Sequence, residues 1–102
     1  MTVYISNNAD SIIQTAAKSF SALVKEITGT EYSVQKVDDF FADLNKGFVF
    51  STFATLGKNI NDFNDEKIRL MGEGFCVREK NGKIFVLSHI SRGVYYGVFE
   101  LL

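Results

Sequence analysis

Residues 73–90 read EGFCVREKNGKIFVLSHI, and the Asn81-Gly82 pair inside this stretch separates two runs of alternating side chains. Asn-Gly is the dipeptide that suits a two-residue type I′ turn, because both central positions need a positive φ. Pairing across it sets Val77 opposite Val86 and Glu79 opposite Ile84 on one face, with Cys76 opposite Leu87 and Arg78 opposite Phe85 on the other. Both faces carry apolar residues. A sheet wet on one side alternates more cleanly, so this hairpin is expected to be covered on both sides.

The next residues, SRGVYYGVFELL at 91–102, read as a helix. Ser91 is placed to N-cap it, with Arg92 and Gly93 in the first turn. Val94, Val98 and Leu101 form one stripe, and Tyr95, Phe99 and Leu102 form a neighbouring one. A helix apolar nearly all round is buried on both sides, so one stripe is expected on the sheet and the other on a further part of a longer protein. Gly93 and Gly97, four apart, each cost about 1 kcal/mol of helix propensity, which implies a packing reason. The expectation is a flat strip where another backbone approaches, with Tyr95, Tyr96, Phe99 and Leu102 beside it.

Upstream, TVYIS at 2–6 reads as a buried strand, followed by a helix capped by Asp10 or Asn8. Ile13, Ala16, Ala17, Phe20, Val24 and Ile27 recur on one helical face, and Gly29 stops it. EYSV at 31–34 then supplies a second strand, so strand, helix and strand imply a parallel crossover. Val37, Phe40, Phe41 and Leu44 predict a short helix, and GFVFSTFAT at 47–55 a central strand. LGKNIND at 56–62 reads as a polar loop, and NDEKIRLMG at 64–72 as a two-turn helix ending at Gly72. The fold class that results is α+β, one mixed sheet of about five strands with a long N-terminal helix and a C-terminal helix packed on it.

Composition narrows the function. With 102 residues, 46% apolar and 14% aromatic, the chain can bury a core. A net charge of −1 and scattered basic residues argue against a nucleic-acid partner. One cysteine permits neither an internal disulfide nor a thiolate cluster. MTVYISNN carries no signal-peptide pattern, and no run is apolar enough to cross a membrane, so no membrane partner is expected.

Candidate chemical groups each have a plainer reading. His89 closes a strand with no Ser or Cys at a recognisable spacing, and HExxH is absent, so neither a general base nor zinc is indicated. Cys76 sits mid-strand among apolar neighbours and reads as an inert thiol. Asp62, Asn64, Glu66 and Glu73 mimic an EF-hand spacing, but Lys67 stands where the loop requires glycine and Arg69 where it takes an apolar residue. Asp38, Asp39 and Asp43 read as a solvated face or cap, and GEGF at 72–75 leads into a strand rather than a helix, so it is no phosphate cradle. Arg92 reads as a structural contact and joins Gly93, Tyr95, Tyr96, Gly97, Phe99 and Leu102 as a candidate for a domain interface. No catalytic, metal or cofactor residue is assigned.

At these residues the chain resembles a known family. Glu73, Gly74 and Phe75, then Arg92, Gly93, Tyr96, Gly97, Leu101 and Leu102, match an E-G-[FY] strand and an R-G-x-x-Y-G-x-x-x-L-L helix start. The pattern is similar to the N-terminal non-catalytic accessory domain of bacterial glycoside hydrolases, the α-glucuronidases and β-N-acetylhexosaminidases. The resemblance implies a sheet with a metalloprotease-like shape lacking the metal site. It also implies that residues 1–102 are a single accessory domain truncated at its C-terminal boundary, with a catalytic barrel downstream in the same chain. Such a barrel needs about 250 residues, so the glycosidase carboxylates lie outside this chain. The parent would be a carbohydrate-active hydrolase, of a kind that is usually exported when it degrades polysaccharide. The alternative is a free-standing interaction module that uses the apolar terminal helix, with a homodimer through that helix as one form.

Overall fold

In the computed structural model, residues 1–42, 45–70 and 74–102 are described, apart from the side chain of Lys58. The β-branched and aromatic run at the start forms β1 (Thr2–Ser6), and Asp10 then caps α1 (Ser11–Thr28) by accepting from the N–H of Ile13 at 3.0 Å. Gly29 closes α1, its N–H bonding to the carbonyl of Lys25. The chain returns through β2 (Ser33–Val37), which pairs parallel with β1 as the strand–helix–strand reading requires.

β3 (Gly47–Thr52) is the central strand, and the hairpin of β4 (Phe75–Lys80) and β5 (Lys83–Ser88) completes a sheet in the order β2-β1-β3-β5-β4. All neighbours are parallel except β4 and β5. The register across the hairpin is the one read from Asn81-Gly82: Val77 faces Val86, Glu79 faces Ile84, Cys76 faces Leu87 and Arg78 faces Phe85. Asn81 and Gly82 take φ values of 53° and 82°, as a type I′ turn needs.

Two cores flank the sheet. On one face α1 and α3 (Ser91–Glu100) bury Ile13, Ala16, Ala17, Phe20, Val24, Val94 and Val98 against Val3, Ile5, Phe50 and Val86. On the other, Tyr4, Val49, Phe85 and Leu87 meet Phe40, Phe53, Leu56 and Phe63. The last three of these belong to, or adjoin, a 3-10 helix at Ala54–Phe63, which leads into α2 (Asn64–Arg69). Covering both faces explains why β3 and β5 are apolar almost throughout.

Several expectations are corrected. No helix forms over Asp38–Ala42; Leu44 and Asp43 lie outside the described residues. Side chains take the backbone donors there, Asn59 Oδ1 from the Phe40 N–H and Asp39 Oδ1 from the Phe41 N–H. The segment read as a polar loop is the 3-10 helix, because Leu56, Asn59 and Phe63 within it are buried. Ile27 stands 71% exposed, since α1 runs past the apolar floor that holds Val24. The hairpin is covered on both faces only along β5; β4 is an edge strand with Val77 41% exposed. Gly72 and Glu73, read as a helix end and the start of the E-G-F match, lie outside the described residues.

Candidate functional site

α3 holds every residue singled out as an interface candidate except Leu102, which follows it. Its N-cap position is Ile90, not Ser91, and it carries no side-chain cap. Ser91 is the first helical residue, and its hydroxyl donates to Asp10 Oδ2, tying the start of α3 to the start of α1 across 81 residues of sequence. Burial works against ionisation of Asp10. The Ser91 hydroxyl and the N–H groups of Ile13 and Ile12 outweigh it and hold the carboxyl below its ordinary value.

The two stripes of α3 separate as their sequence positions require. Val94 and Val98 are fully buried on the sheet face, and Leu101 packs against the same core. Tyr95 is half-buried against that core and meets Phe99 with ring centroids 4.7 Å apart and planes tilted by 43°. Tyr96 and Leu102 are 47% and 48% exposed, and Ile12 and Ile90, close in sequence to the tied helix starts, are exposed as well. Arg92 is exposed in the first turn.

The glycines do something other than expected. A Cβ on Gly97 would lie 2.6 Å from Val86 Cγ1 and 2.9 Å from the Phe75 ring, so Gly97 lets α3 settle on its own sheet. Gly93 is buried too. The strip read as open to another backbone is therefore turned inward, and the outward surface is the one made by Tyr95, Tyr96, Phe99 and Leu102.

The other candidates are dispersed. The ring of His89 lies 4.9 Å from that of Phe53, and Nε2 is 2.7 Å from the carbonyl of Lys67 and 3.1 Å from that of Leu70. Burial raises the Cys76 thiol above its ordinary value, and the Glu66 carboxylate adds to this against the pull of Arg78. Asp62 pairs with Lys80 and Glu66 with Arg78, which commits these EF-hand-like acids to β4. Asp38 accepts from Asn7 Nδ2 at 2.6 Å. Among the described residues no three His, Cys, Asp or Glu side chains converge on a common point, and no helix is long and apolar enough to cross a membrane. Sequence reasoning missed Lys83, 1% exposed at the start of β5 with Nζ 5.2 Å from the centre of the Tyr4 ring. Its place on the Phe85 and Leu87 side of an alternating strand was the available signal.

The fold is similar to part of one glycoside hydrolase. Over 99% of its length the chain superposes on part of a GH138 enzyme targeting pectin rhamnogalacturonan II, with a TM-score of 0.59 and 16% identity. It spans 13% of that chain. No protein-family model matches the sequence, and no curated protein does.

Proposed function

We propose that this chain is a non-catalytic domain of a carbohydrate-active glycoside hydrolase, of the α-glucuronidase or hexosaminidase type, and that it braces a downstream catalytic barrel. The observation that carries this reading is the superposition of nearly the whole chain on a small fraction of a glycoside hydrolase. The outward stripe of α3 supplies the bracing surface: Tyr95, anchored on the core, meets the Phe99 ring at a tilt, and Tyr96 and Leu102 extend the stripe into solvent. Such an apolar patch is what an inter-domain contact buries.

Activity assays test the reading. The 102-residue protein is expected to leave aryl-glycoside and glucuronide substrates unhydrolysed above blank, while the same chain joined to its barrel turns them over. Turnover by the 102-residue protein that disappears on changing His89 or Asp38 would contradict it. The exposure of Tyr96 and Leu102 also suits a free-standing module that captures a partner or a second copy through α3. A reading frame that stops at Leu102 would favour that alternative.

A further inference from the structure

The register places Phe48, Ile84 and Glu79 in one row across β3, β5 and β4, on the face that carries α1 and α3. Both apolar members of this row are only half-buried. They floor a concavity of about 440 Å³ at the start of β3 and the tip of the hairpin, walled by Tyr32, Lys46, Gly47 and Gly82. That volume lies in the range of small-molecule sites, roughly 300–1,000 Å³. The wall is firm. Tyr32 stacks on Phe48 with centroids 6.1 Å apart and planes 28° from parallel, and Phe20 packs edge-on behind Phe48 at 5.0 Å.

The charged side chains of the rim are Lys46 and Glu79, with Met1 beside them. Lys46 and Glu79 are exposed beside the same hollow, and neither forms an ion pair with any described residue. An anionic ligand would gain from Lys46 and lose to Glu79, and a cationic one the reverse. A neutral polyhydroxylated ring suffers neither penalty, because each hydroxyl both donates and accepts. Its apolar C–H face would rest on Phe48, Ile84 and the Tyr32 ring, which is how apolar floors with few polar groups orient small ligands.

We infer that this concavity is a binding site for a neutral sugar unit, with Tyr32 and Phe48 as the platform and Lys46 and Glu79 as the hydroxyl partners. The inference rests on the glycoside hydrolase reading for the class of molecule the domain meets. It assigns the domain a second task, holding glycan at the start of β3 and the tip of the hairpin.

Amide-resolved NMR titration of the 102-residue protein tests it, with cellobiose, lactose and diacetylchitobiose as neutral probes, an oligogalacturonide as the anionic one, and sorbitol as a polyol without a ring. At least one neutral disaccharide is expected to give saturable shifts at Tyr32, Lys46, Phe48, Gly82 and Ile84 with a Kd of about 1 mM, and sorbitol none. Tyr32→Ala is expected to abolish them and Tyr32→Phe to retain them. Glu79→Gln, at an exposed position, is expected to weaken binding about tenfold, or 1.4 kcal/mol. Absence of clustered shifts up to about 50 mM sugar, shifts from the oligogalacturonide alone, or unchanged binding in both Tyr32→Ala and Glu79→Gln would overturn the site. Failure here leaves the bracing role standing when the barrel is still stabilised. Sugar binding without any barrel downstream would keep the site and remove the bracing role.

Discussion

Gly97 has no room for a methyl group. Its would-be Cβ meets Val86 Cγ1 at 2.6 Å and the Phe75 ring at 2.9 Å, and both belong to the sheet beneath α3. Gly97→Ala is therefore expected to destabilise the protein by about 1–3 kcal/mol through overpacking, despite the better helix propensity of alanine. A thermal melt checks it, and a stability equal to or above wild type would show that α3 sits higher on the sheet. Asp10 acts through two bonds, one capping α1 and one holding Ser91. Asp10→Ala is expected to cost about 1 kcal/mol in a urea melt at neutral pH, whereas Asp10→Asn keeps most of the cap. Because the folded-state pKa of Asp10 lies below its unfolded value, the charge-linked part of its stabilisation is present above that unfolded value, about 3.9, and is lost as pH falls through the lower folded value. Asp10→Asn should accordingly lose less stability than wild type between neutral and acid pH. An identical acid dependence in the two proteins would assign the acid sensitivity to other groups.

At the scale of elements, the β4–β5 hairpin is the part the sequence states most fully. The Asn81-Gly82 turn sets the register, and a slip of one residue would carry Phe85 and Leu87 out of the core they share with Tyr4 and Phe63 and into the one built around Val86, so turn and packing agree. Gly82→Ala, forced to φ near 82°, is expected to cost about 1–2 kcal/mol, again read by thermal melt; a neutral effect would mean that the turn relaxes to another type without penalty. α1 was equally legible because its apolar spacing and its cap point to the same start. The segment between β3 and α2 was not. Its polar composition hides three inward residues, Leu56, Asn59 and Phe63, in a 3-10 segment kinked at Gly57, too short and too polar for a periodic apolar face to show. The same Asn59 reaches Phe40, 19 residues earlier, and so removes the short helix that Phe40, Phe41 and Leu44 suggested. On α3 the two stripes could be read from spacing alone, but the direction of the glycines could not. Gly97 faces inward because Phe75 of the edge strand leans under it, a long-range contact that no local pattern encodes.

At the scale of the molecule, two cores on opposite faces of one sheet leave the outer side of α3 as an apolar surface supported from within. In the proposed role that surface is covered by the catalytic barrel. Covering about 200 Å² of apolar area would contribute about 5 kcal/mol before the entropy of ordering is counted, which is large against the roughly 5–15 kcal/mol that holds a domain folded. The bracing role thus makes a stability claim that the α3 side chains can be used to dissect. The most direct measurement compares the unfolding temperature of this domain alone with that of the same domain joined to its barrel, each also carrying Tyr96→Ser and Leu102→Ser. The account predicts that the barrel raises the melting temperature of the domain by about 5 °C or more, and that the paired substitutions remove most of that gain while changing the isolated domain little. Equal melting temperatures with and without the barrel, or a gain that survives both substitutions, would contradict it.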